Sequence, residues 1–270
     1  MEPALSGQYH PPRVICVKTS ATWLVLLLVL CAIPALSAAD VPVSIDATLG
    51  LYVGDGAHPA CTDAARRMFE SMGVRIVEII AASFNNDDVD GIDVFYFAGG
   101  ESGPYIDDIT PGGKALLRRR VVEGAAYIGT CAGSMFAAAV QVWEGYTMTR
   151  GQLGVFSGDA VGPAPDICGP NGGVCTCWID VNTEHPIGRG IPESIEISYY
   201  NSPFFRFLDG SSVEIVATYQ ATGEPTIIAA PYGSGRVVLT GVHPEWMPGP
   251  PWDLMTNAVL WCLGRLETAD

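Results

Sequence analysis

From Ala47 onward the chain alternates short apolar runs with longer segments of helical period, a pattern that predicts strands and helices in turn. "ATLGLYVGDG" reads as a strand ending in a glycine turn. In "CTDAARRMFESMG", Cys61, Ala64, Ala65, Met68 and Met72 fall on one helix side and Gly73 stops the helix. "VRIVEII" and "DVFYFAGG" read as two further strands, and "TPGGKALLRRRVVEG" as a helix opening at Thr110 and Pro111. "AAYIGT" is a short buried strand that runs straight into "CAGS", with "AGSMFAAAV" predicted as a helix of small residues. The later chain is richer in β signals: "ISYYN", "VEIVATY" and two strands around the Tyr232 to Gly235 turn, closed by the helix "WDLMTNAVLWCLGRL". The alternation predicts an α/β domain of three layers, a mostly parallel sheet with helices on both faces. No internal repeat or linker divides residues 40–270, so one domain is expected there.

The first 39 residues differ in kind. Trp23 to Ile33 are apolar, Pro34 ends the run, and small residues precede Asp40. That is the layout of a signal peptide, with a retained signal anchor as the alternative, since a span needs about 18 residues. Both place the remainder outside the cytoplasm, secreted or tethered, with the membrane a partner only if the segment is uncleaved. A formal charge of -15, from 29 acidic and 14 basic residues, argues against nucleic acid as a partner.

An oxidising location allows disulfides. Eight cysteines are present, and "DICGPNGGVCTCW" gathers Cys168, Cys175 and Cys177 around turn-forming residues. A bridge from Cys168 to Cys175 or Cys177 would staple this loop. The alternative is a zinc knuckle using all three with His185, although C-x-C is not the usual chelating pair. The expectation is a disulfide, with no metal and no cofactor.

The spacing Gly129-x-Cys131-x-Gly133 is that of a nucleophile elbow, a tight strand-to-helix turn whose flanking positions have no room for side chains. Cys131 would then project from the carboxyl edge of the sheet, where open α/β folds bind ligands, with a helix start favouring thiolate. A buried cysteine between packing glycines is the competing reading. "GVHPEW" supplies His243 as a base and Glu245 as the group that orients it. In "FAGGES", Gly99 and Gly100 could turn N–H groups toward a developing oxyanion together with the N–H of Ala132, or merely end a strand.

The combination of "YFAGG", "YIGTCAGS" and "GVHPE" resembles the class I glutamine amidotransferase-like superfamily, whose members carry a Cys-His-Glu triad on a flavodoxin-like sheet. "LYVGDGAHPACTDAARRMF", "LGVFSGDAVGP", "ISYYNSPFF" and "GSGRVVLTGVHPE" are similar to the N-terminal domain of certain eukaryotic biotin-protein ligases, also found alone in microbes. The similarity runs from about Leu49 to the last helix. It implies Cys131 as nucleophile, His243 as base, Glu245 as orienter, Gly99 and Gly100 at the oxyanion position, and a site lined by "YNSPFF", including Tyr200 and Asn201. Two features depart from it: nothing resembles a ligase catalytic domain, and a cysteine-bearing insertion occupies about 163–178. The expected function is therefore hydrolysis of an amide or related acyl bond in a small or peptide-like substrate. A non-catalytic module binding a small molecule or cell-envelope component is the alternative, because fold similarity does not fix substrate.

Overall fold

The structure, a computed structural model, describes residues 44–169 and 172–266. The segment read as signal or anchor lies outside the described residues. Among the described residues no helix is long and apolar enough to cross a membrane.

The first half lays down β1 (Thr48–Tyr52), α1 (Pro59–Ser71), β2 (Arg75–Ile79), α2 (Ala81–Asn85), β3 (Val94–Phe97), α3 (Ser102–Asp108), α4 (Pro111–Val122), β4 (Ala126–Thr130) and α5 (Ala132–Ala137). Proline starts both α1 and α4, and each has a side-chain cap: His58 Nδ1 accepts from Ala60 N, and Thr110 Oγ1 accepts from Gly113 N. β5 (Ala138–Trp143), β6 (Tyr146–Met148), β7 (Phe156–Gly162), β8 (Val174–Val181), β9 (Ser194–Tyr200), β10 (Phe204–Arg206), β11 (Glu214–Tyr219), β12 (Pro225–Tyr232), β13 (Gly235–Thr240) and α6 (Pro250–Cys262) follow.

One sheet has nine strands in the order β2-β1-β3-β4-β13-β12-β11-β8-β9. From β2 to β13 every pairing is parallel, and from β13 to β9 every pairing is antiparallel. The expectation of a mostly parallel sheet thus holds for the half that carries β4 and β13, while the sheet overall is mixed. Every residue of β1, β3 and β4 is buried, as parallel strands covered on both faces require.

A second sheet, β10-β7-β5-β6, was not expected. It corrects the helix read over "AGSMFAAAV", which ends at Ala137 because Ala138 begins pairing with β7. Alanine favours helix, but ladder hydrogen bonds and burial decide against local propensity here.

Candidate active site

β4 and β13 are parallel neighbours with Thr130 opposite Thr240, so both release the chain at the same sheet edge. Cys131 is the first residue beyond β4 and His243 the third beyond β13. Cys131 N–H donates to Thr240 O at 2.9 Å. The backbone of Cys131 has φ 53° and ψ -107°, a left-handed conformation that costs a non-glycine residue about 1–3 kcal/mol. Its neighbours impose it: a Cβ on Gly129 would lie 2.7 Å from the Gly133 carbonyl, and one on Gly133 would lie 2.1 Å from Phe97 O. Both glycines let the start of α5 pack directly on the strands.

His243 is fully buried. Its Nδ1 donates to Glu245 Oε1 at 2.7 Å, its Nε2 lies 3.3 Å from Ser202 Oγ, and Trp246 stacks on the ring at 4.3 Å and 12°. Burial alone would lower the imidazole pKa. The Glu245 carboxylate, with contacts to the thiols of Cys131 and Cys61, instead raises it well above the ordinary histidine value. Burial likewise pushes the Cys131 thiol up, but His243, the Ser202 hydroxyl and the Gly100 N–H reverse this and hold it below the ordinary cysteine value. The opposite directions favour the proton on nitrogen over sulfur, the thiolate–imidazolium form of the pair.

The two glycines after β3 have different jobs. Gly100, at φ 149°, turns its N–H to the Cys131 sulfur, and a Cβ there would lie 2.0 Å from Gly56 O. Gly99 makes room, since its Cβ would lie 2.5 Å from His243 Cε1. Ala132 stands at the first position of α5, where the N–H has no carbonyl four residues back to bond.

The Tyr200–Asn201 segment does reach the site, though differently from the expectation. Tyr200 contributes its carbonyl, 3.9 Å from Cys131 Sγ, while Asn201 Oδ1 accepts from Gly173 N at 2.7 Å. The residue of this segment that touches the imidazole is the next one, Ser202, which lies within "YNSPFF" but to which the resemblance assigns no role of its own. The loop held by Asn201 is the cysteine-bearing one. Cys168 is bonded to Cys175, and Cys177 is free and buried, so Cys177 is removed from the disulfide candidates. It lies two residues beyond Cys175 on the same face of β8, where its thiol is buried. The zinc-knuckle alternative fails with it: His185 Nε2 lies instead 3.1 Å from Glu214 Oε2.

Cys61 is a second residue that the sequence did not flag as part of the site. Read as one of α1's apolar positions, it is 2% exposed, and its sulfur, a His243 ring nitrogen and a Glu245 oxygen lie within 4.8 Å of one another. These donors could hold a soft divalent ion. Burial raises the Cys61 pKa, so two thiols beside one imidazole differ in direction.

A buried cysteine with a strained backbone thus faces a His-Glu pair at the parallel sheet edge, on a fold that solved glutamine amidotransferases share. Solved structures agree in fold. A glutamine amidotransferase crystal structure gives a TM-score of 0.57 at 22% identity, covering 77% of this chain and all of that one. PurLQS from Thermotoga maritima gives 0.58 at 14% identity, covering 80% of this chain and 99% of that one. The chain belongs to the family described as biotin-protein ligase, N terminal, whose match spans residues 58–257. The biotin–protein ligase of Schizosaccharomyces pombe is 27% identical over 226 residues, covering 73% of this chain but 33% of the ligase. An uncharacterized protein of Chlamydia muridarum is 31% identical over 159 residues, covering 56% of this chain and 59% of that protein. The chain thus spans about a third of the one relative and under two thirds of the other.

Proposed function

We propose that the protein is a cysteine hydrolase of amide or related acyl bonds, with Cys131 as nucleophile, His243 as base and acid, and Glu245 as orienter. The observation that carries this reading is the strained backbone of Cys131, held where its sulfur meets His243, Ser202 Oγ and the Gly100 N–H. Strain of this kind persists only where surrounding structure enforces it, and it clusters at reacting positions.

The Cys131 thiolate attacks the substrate carbonyl carbon, and the carbonyl π electrons move to oxygen. The Gly100 and Ala132 N–H groups stabilise that oxyanion. Collapse breaks the C–N bond as the His243 imidazolium gives its proton to the departing nitrogen, leaving an acyl thioester and a free amine or ammonia. Water, deprotonated by His243, then attacks the thioester. The acid departs, and Cys131 and His243 regain their starting charges. Glu245 fixes the ring through Nδ1 so that Nε2 faces the reacting sulfur. Ligase chemistry is not part of the reading, which concerns the region matched to the ligase's N-terminal domain.

Amide panels would be screened for amine release by the native protein and by Cys131→Ser. Release by the native protein alone supports hydrolysis, and equal background from both favours the binding module. The reading also places the domain outside the cytoplasm, supported by the Cys168–Cys175 bond and the apolar run before Asp40. Intact mass of natively produced protein tests this: a start near Ala38 to Asp40 indicates cleavage, and a full-length chain in the membrane indicates an anchor.

A further inference from the structure

The cavity above Cys131 has a volume of about 950 Å3, framed by the start of α1, strands β5 and β6, and the Tyr200–Asn201 segment. Met135, Trp143, Met148, Val174, Tyr200 and Trp246 give it apolar walls, which continue to the mouth because Met148, Val174 and Tyr200 are exposed. Among the described residues that line it there is no lysine or arginine. The acidic side chain among the lining residues is Glu101, at the mouth. A carboxylate entering here would lose water, meet Glu101 and find no lysine or arginine, only the imidazoles of His58 and His243.

One polar group on the wall is unpaired. Gln141, fully buried on β5, accepts a bond at Oε1 from Ser102 Oγ at 3.2 Å, and its Nε2 has no partner. Buried amides are satisfied in almost all folded proteins, so an orphaned donor lining a cavity points to an acceptor on the molecule that fills it.

We propose that this cavity takes neutral or cationic amides bearing an aromatic or aliphatic group, that it discriminates against free carboxylates such as that of glutamine, and that Gln141 hydrogen-bonds a second carbonyl oxygen of the substrate. The inference deepens the hydrolase reading and rests on it for the bond broken, but its binding claim stands separately. Gln141 is on this view a specificity residue on the second sheet, about which the triad says nothing.

The test separates binding from turnover. Cys131→Ser is titrated with N-acetylphenylalaninamide, phenylalaninamide and N-acetylphenylalanine, reading quenching of tryptophan fluorescence, since Trp143 and Trp246 line the cavity. In parallel the same compounds protect the native protein's Cys131 from iodoacetamide, which covers the case of a poorly folded variant. The carboxylate compound should bind about tenfold more weakly than either amide. Glu101→Gln should narrow that gap by about two- to fivefold, as expected for a charge at an open rim. Gln141→Leu should weaken N-acetylphenylalaninamide by about three- to tenfold and phenylalaninamide less, because only the former has the second carbonyl. Equal or tighter binding of the carboxylate, or no saturable binding of any of the three, overturns the proposal. Amide-selective binding without amine release would uphold it while sinking the hydrolase reading.

Discussion

Gly99→Ala tests the site without removing any titrating group. The added Cβ would stand 2.5 Å from His243 Cε1 and 3.1 Å from Cys61 Sγ. Carbon atoms prefer about 3.5–4.0 Å, so the ring must retreat by about 1 Å. It has little room to do so, with Glu245 holding Nδ1 at 2.7 Å and Trp246 stacked on one face. Displacement therefore withdraws the imidazolium from Cys131. A thiol returned to an ordinary pKa of about 8.5 is ionised to only about 0.3% near pH 6. Alkylation by iodoacetamide near that pH should slow by about tenfold for each pH unit by which the native thiol titrates below that ordinary value. Overpacking should also lower stability by about 1–3 kcal/mol in urea unfolding, with cooperativity kept. Gly112→Ala is the control: its Cβ meets nothing nearer than Thr110 Oγ1 at 3.8 Å. On the exposed first turn of α4 it should leave the alkylation rate unchanged and stabilise by about 0.5 kcal/mol. If Gly99→Ala, cooperatively folded, alkylates at the native rate, Cys131 does not depend on His243 and the thiolate–imidazolium pair is refuted.

Other outcomes follow from the same geometry. The native alkylation rate should rise at a pH below the ordinary thiol range, because Cys131 is lowered and His243 raised; His243→Ala should move the rise up to the ordinary thiol range, seen in a rate–pH profile. The sign for stability is consistent: protonated His243 contributes below the ordinary imidazole range and loses that contribution as pH rises through its folded value. The Cys131 thiolate contributes above the ordinary thiol range and loses it as pH falls through its own. Ser202→Ala should slow alkylation near pH 6 by about two- to tenfold, the net worth of one hydrogen bond to the charged pair. Cys168→Ser with Cys175→Ser should cost about 2 kcal/mol in urea, as closing so short a loop predicts. Since Asn201 ties the same loop to the site, the double substitution should also loosen the Tyr200 segment, visible as faster amide exchange at residues 172–174.

How far the sequence carried depended on whether a feature was local. The elbow was legible because Gly129 and Gly133 fail sterically within a few residues of Cys131, and the His-Glu pair because both partners occupy one short turn. The β1 to β4 alternation showed through since fully buried strands read as unbroken apolar runs. Ser202, Cys61 and Gln141 were not legible. Each reaches the site from a different segment, and none stands in a pattern that local chemistry demands: Cys61 looks like a core position of α1, and Gln141 sits in a stretch whose alanines suggest helix. Only the fold, in which β5 pairs with β7, brings Gln141 to the cavity wall. The disulfide choice had the same limit, because turn chemistry permits either bridge. Cys175 and Cys177 share one face of β8, so strand alternation does not choose between them; the folded loop brings Cys168 to Cys175.

The two thiols beside His243 show what the elbow adds beyond proximity. Cys61 and Cys131 both contact the imidazole, and both lose solvation by burial. Proximity to the same cation would make them alike, yet one is raised and the other lowered. The difference lies in what else each sulfur meets. The left-handed backbone of Cys131 aims its sulfur between the Gly100 N–H and Ser202 Oγ, so donors on more than one side stabilise negative charge. Cys61 extends from the regular first turn of α1, and beyond its contact with His243 the charges that bear on it are negative: Glu245 and Cys131 both raise its pKa. Ionising Cys61 would therefore place a second anion against the thiolate already present. The strain at Cys131 thus selects which thiol gives up the proton, and it does so through geometry that a cysteine on a relaxed helix cannot adopt.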